Sequence, residues 1–160
     1  MWFLVQKCNA IWQIDATGNI LQPINGQKSS LLYSIVVYDP QNHIIIPLFE
    51  YITTDQSVRQ ISGFLFLVKE YCLKYKSMCG RQIPFAFAQI ITTDFSYILI
   101  NSILKIFNNC NMADYLKGTY TILVEGSQSA LAINVMIYLC STHFLSSFIK
   151  KVNSISDLNM

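Results

Sequence analysis

Residues 31–51 decide the fold class: Leu31-Leu32-Tyr33-Ser34-Ile35-Val36-Val37-Tyr38, then Asp39-Pro40-Gln41-Asn42-His43, then Ile44-Ile45-Ile46-Pro47-Leu48-Phe49-Glu50-Tyr51. Two apolar runs rich in β-branched and aromatic residues flank five turn-forming residues, the pattern of an antiparallel hairpin. Upstream, Ile11-Trp12-Gln13-Ile14-Asp15 reads as another strand, Ala16-Thr17-Gly18-Asn19 as a turn, and residues 22–30 as a loop. The chain therefore begins with three strands in succession.

Helices take over downstream. Asp55 is placed as the N-cap of a long helix ending near Ser77, because Ile61, Phe64, Leu65, Val68, Tyr71, Cys72 and Tyr75 recur at three- and four-residue steps. Gly80 suits the turn that ends it. Residues 84–92 form a short apolar strand closed by Asp94, and helix resumes with Ile100, Ile103, Leu104 and Phe107 on one face. Asn108 to Asn111 breaks that helix, residues 112–124 form another, and residues 135–139 and 144–152 form a final strand and helix. A three-strand meander followed by alternating helices and strands predicts an α/β protein with a sheet of mixed direction and helices on both faces. The domain is assigned to residues 1–152, with 153–160 a polar tail.

Composition narrows the class without reaching function. Apolar residues make up 52% of the 160 and charged residues 12%, which supplies a large core and excludes intrinsic disorder. A net charge of +2 gives no electrostatic case for nucleic-acid binding. Five cysteines in no CxxC pair fit neither a disulfide-stapled mini-fold nor a closed zinc site, so a reducing intracellular compartment is expected. The N-terminus lacks the basic segment and apolar length of a signal peptide. Residues 129–149 carry no formal charge, but seven polar side chains among these 21 residues argue against a membrane span.

Two carboxylates stand out. Asp15 and Asp94 each follow an apolar run, so each emerges where a buried strand meets solvent. If the first and fourth strands are neighbours, the two face each other, as phosphoryl transfer by the two-metal route requires of the acids that hold its Mg²⁺ or Mn²⁺. The competing reading makes Asp15 a turn residue and Asp94 a helix N-cap. Cys140-Ser141-Thr142-His143 is a CxxH element at the end of the last strand, fit for a metal, a hydrogen-bond network or a structural role, or for a thiol nucleophile with His as base, although no orienting partner stands out. The aromatics Tyr33, Tyr38, Tyr71, Tyr75, Phe64 and Phe66 are read as core, and Lys69, Lys74, Lys76 and Arg81 as a solvated helix side.

Taken in order, Ile14-Asp15-Ala16-Thr17-Gly18, then Thr92-Thr93-Asp94-Phe95-Ser96, then Cys140-Ser141-Thr142-His143 resemble the Mutator-like (MULE) branch of the DDE transposases. The first acid sits there in a strand-end D-x-T motif and the second in a TD motif opening a helix, with CxxH following. The resemblance spans about residues 10–152 and implies a ribonuclease H-like fold. It also implies DNA cleavage and joining with Mg²⁺ or Mn²⁺, DNA as partner and a nuclear location. Asp15 and Asp94 match the first two metal-binding catalytic acids, and Cys140 and His143 match the CxxH element. The third acid, a Glu on a later helix, has no match, since the one acid after His143 is Asp157 in the polar tail. The family's N-terminal DNA-binding module has no counterpart in the 14 residues before Asp15.

The expectation is thus a C-terminally truncated transposase core, inactive or nearly so on its own. The alternative is a non-catalytic nucleic-acid or protein interaction module, a homo-oligomer or protein partner covering its apolar surface. A small membrane protein ranks third.

Overall fold

The computed structural model describes residues 11–18, 25–26, 28–78, 88–126, 134–142, 145–146 and 149. Its strands are β1 (Ile11–Gly18), β2 (Leu31–Asp39), β3 (Ile44–Thr53), β4 (Ile90–Thr93) and β5 (Met136–Leu139). Its helices are α1 (Val58–Met78), α2 (Tyr97–Ile103), continued by a π-helical turn over Leu104–Asn108, and α3 (Met112–Glu125). The strands form one sheet in the order β3-β2-β1-β4-β5. β2 runs antiparallel to β1 and β3, while β4 runs parallel to β1 and to β5. This is a mixed α/β sheet of the ribonuclease H-like kind.

Side-chain alternation fixes which face is buried, because successive residues of a strand point to opposite sides. Trp12 and Ile14 of β1, Tyr33, Ile35 and Val37 of β2, and Ile91 of β4 share one buried face. Ile61, Phe64, Leu65, Val68 and Cys72 of α1 pack there, joined by Leu99, Ile103 and Phe107 from α2 and the π-helical turn. Trp12 meets Phe107 edge to face at 6.2 Å, and Tyr51 stacks on Phe64 at 5.0 Å. On the other side Ile11, Gln13 and Thr17 of β1 are exposed, as are Met136 and Tyr138 of β5. Helices on both faces were expected; among the described residues α1 and α2 cover one.

Several local readings change. α1 starts after Ser57, whose hydroxyl accepts from Gln60 N at 3.3 Å, while Asp55 holds Ser57 N at 2.9 Å, so the acid supports the cap and does not form it. β1 runs on through the supposed turn to Gly18, because Asp15, Ala16, Thr17 and Gly18 all find partners on β2. The hairpin turn is held by Asp39, whose carboxylate accepts from the Asn42 side chain at 2.7 Å and from Gln41 N at 2.9 Å. Those bonds, the Asn42 amide first, hold its carboxyl below the usual range. Tyr33 and Phe64 are core, as read, whereas Tyr38, Phe66 and Tyr71 are half exposed. Lys69 is no idle surface cation: its ammonium donates to Ile106 O at 2.8 Å, tying α1 to the π-helical turn.

No helix among the described residues is long and apolar enough to cross a membrane, and β5 occupies the middle of the uncharged stretch 129–149. The tail 153–160 and most of the helix placed at 144–152 lie outside the described residues.

Burial separates two isoleucines of one hairpin. Ile35→Ala, at a fully buried position, is expected to lower unfolding free energy by about 2–5 kcal/mol in urea denaturation. Ile45→Ala, 65% exposed, should shift it by no more than about 0.5 kcal/mol. Equal effects would contradict the assignment of faces.

Candidate metal-binding carboxylate pair

The parallel ladder between β1 and β4 brings the two aspartates together. Its last paired positions are Ile14 and Thr93, so Asp15 and Asp94 stand next to each other one residue further along. Neighbouring strands lie about 4.8 Å apart, which two carboxylates can span with a shared cation. The ladder between β4 and β5 ends at Thr93 and Leu139, which puts Cys140 beside Asp94 on the other flank. Cys140 N donates to Thr93 O at 2.8 Å and secures that position. Asp15, Asp94 and Cys140 thus occupy three adjacent backbone places in one row, within β1 and just past the C-terminal ends of β4 and β5.

On β1, Asp15 alternates with the core-packed Ile14 and Ala16, so its side chain lies on the face opposite the core, where it is half buried. Its Oδ1 accepts from Ala16 N at 2.8 Å. Its partner on β2 is Ser34, which in turn faces Glu50 on β3. Neither simpler role assigned to the pair fits. Asp15 is a strand residue with a partner, and the cap of α2 is Ser96, whose hydroxyl accepts from Leu99 N at 3.4 Å. Asp94 Oδ1 instead accepts from Ser96 N at 3.0 Å, bracing the turn that leads into the helix. Each carboxylate therefore spends one oxygen on local backbone.

Tyr33 was read as core alone, and its ring is 4% exposed. Burial raises its phenol above the ordinary value, and the nearby charge of Asp94 raises it further. The phenol therefore belongs to the electrostatic surroundings of Asp94. Nothing in the sequence flags this, because an aromatic in an apolar strand is first a packing residue.

A divalent cation of the Mg²⁺ or Mn²⁺ kind takes oxygen ligands, the kind that carboxylates supply. Among the described residues, however, no group of three or more His, Cys, Asp or Glu side chains gathers closely enough to hold a metal. Glu50, in the same row, stands two strands from Asp15 and does not complete such a group. His143, the second half of the CxxH element, lies outside the described residues. Cys140 is a free thiol.

No family model matches the chain. Among curated proteins, the 120.7 kDa protein in the NOF-FB transposable element of Drosophila melanogaster is 31% identical over 117 residues, a match covering 70% of this chain. The chain spans about a tenth of that protein's length. This similarity connects the chain with transposable-element proteins.

The placement of Asp94 against Tyr33 is open to a direct test. Replacing Asp94 with Asn removes a negative charge near the phenol, so the Tyr33 titration midpoint should move down towards the ordinary tyrosine value. Labelled-tyrosine NMR over alkaline pH reads this; an unmoved midpoint would place Asp94 away from Tyr33.

Proposed function

We propose that the chain is a transposon-derived catalytic core of the Mutator-like DDE kind, related to enzymes that cut and join DNA strands with Mg²⁺ or Mn²⁺. The observation that carries this reading is the placement of Asp15 and Asp94 in the backbone positions just past the last pair of the parallel β1–β4 ladder, in a sheet of ribonuclease H-like order. The match to a transposable-element protein supports it. In this reading the chain works on DNA, and a nuclear location follows from that partner.

Asp15 and Asp94 would hold a divalent ion, which when bound would act as a Lewis acid towards the attacking and leaving oxygens. Asp15 Oδ1 accepts from Ala16 N and Asp94 Oδ1 from Ser96 N, bonds that orient the two carboxylates. Ser96 and the first turn of α2 fix the orientation of Asp94, while the central position of β1 fixes Asp15. Two acids hold a metal more loosely than three, so the described residues alone support at most trace activity.

The exposed face of α3 favours a second reading, in which the fold serves as an interaction module. Leu116, Tyr120, Leu123 and Val124 recur at three- and four-residue steps, and all are more than half exposed.

Incubating the purified chain with supercoiled DNA and Mg²⁺ or Mn²⁺ tests the first reading. Little or no nicking is expected, and any trace should disappear in Asp15→Ala and Asp94→Ala. Strong metal-dependent nicking lost in Asp15→Ala would overturn the weak-activity claim, and nicking untouched by both substitutions would overturn the site.

A further inference from the structure

The π-helical turn at the end of α2 does more than end a helix. Asn108 is buried, and its side-chain amide bonds the backbone of Val135 in both directions: Nδ2 donates to Val135 O at 2.8 Å, and Oδ1 accepts from Val135 N at 2.8 Å. A carboxamide pairing with one residue's N–H and C=O imitates a neighbouring strand. The adjacent Asn134 donates through Nδ2 to Phe107 O at 3.2 Å, a second tie between the same two segments. The turn suits this task because its wider hydrogen-bonding pattern ends in Asn109, whose left-handed backbone (φ 51°) stops the helix beside Val135.

β5 needs such an anchor. It has four residues, pairs among the described residues with β4 only, and none of its side chains is fully buried. Ile137 N on its outer edge donates to the Tyr115 hydroxyl of α3 at 2.9 Å. A strand this short and this exposed holds its register weakly without further constraint.

The connections form a closed ring. Asp94 braces the start of α2 through Ser96, α2 runs to Asn108, Asn108 holds Val135, and β5 returns to Cys140, whose N–H bonds Thr93 O beside Asp94. We infer that Asn108 is a positioning residue for the candidate site: by clamping Val135 it sets the register of β5 on β4, and so holds Cys140 in the row of Asp15 and Asp94. The inference rests on the reading of that row as the functional site, while the register it describes is measurable without that reading.

Hydrogen exchange on the full chain tests it, comparing wild type with Asn108→Ala. The key reporter is the Cys140 N–H, five residues from the clamp and bonded to β4. Its exchange should accelerate at least tenfold, and site-resolved alkylation of the Cys140 thiol should accelerate with it. Amides of the β1–β2 ladder should stay within about twofold, where a purely global loss of stability would speed every slow amide alike. Asn108→Asp keeps an acceptor for Val135 N but loses the donor to Val135 O, so it should give an intermediate effect, and it replaces the alanine variant if that one fails to fold. An unchanged Cys140 amide, or uniform acceleration across the sheet, would overturn the inference. Mn²⁺ titration of wild type and Asp15→Ala in the same preparations judges the functional reading separately: if the ion binds neither, that reading fails and the exchange result still decides the role of Asn108.

Discussion

The parallel pairing of β1 with β4 is the constraint on which the rest depends. Antiparallel pairing follows readily from a short turn, and β2 and β3 form by that route. Joining β4 to β1 requires a connection that carries the chain past two strands and across the sheet, and α1 belongs to that connection. Once Trp12 lies opposite Ile91 and Ile14 opposite Thr93, the next places in the ladder belong to two aspartates. A slip of one residue would move Ile14 out of the core and Asp15 into it, so burial of the apolar face also fixes where the acids stand.

One helix serves both ends of this arrangement. Asp94 and Ser96 organise the start of α2, and the π-helical turn at its other end delivers Asn108 to Val135 and Ile106 O to Lys69. The same segment therefore packs on the core through Leu99, Ile103 and Phe107 and aligns the two strands beside it. The row of Asp15, Asp94 and Cys140 lies at the edge of this frame.

The sequence was most informative where a periodicity was long. The hairpin, the apolar stripe of α1 and the α/β order were all legible, because each depends on side-chain spacing that burial enforces. The aspartates were legible as strand-end acids, but their adjacency was conditional on a strand order that spacing does not dictate. Boundaries were misplaced where local chemistry competes: Ser57 and Ser96 cap the helices that Asp55 and Asp94 seemed to begin, since Asp and Ser are both good caps. The clamp of Asn108 was not legible at all. Its residues read as a helix stop, and the bond to Val135 spans 27 positions. No local pattern encodes a contact of that range.

In the proposed function, Asp15 and Asp94 form one cation site. Calorimetric titration of Mn²⁺ into the folded chain, beside Asp15→Ala, Asp94→Ala and the double variant, addresses it most directly. One weak site is expected in the wild type. Either single substitution should remove it, and the double variant should lose no more than the singles. Binding that survives one substitution, or no binding by a wild type with its fold intact, would contradict it. The two aspartates would then be residues that brace a strand and a turn.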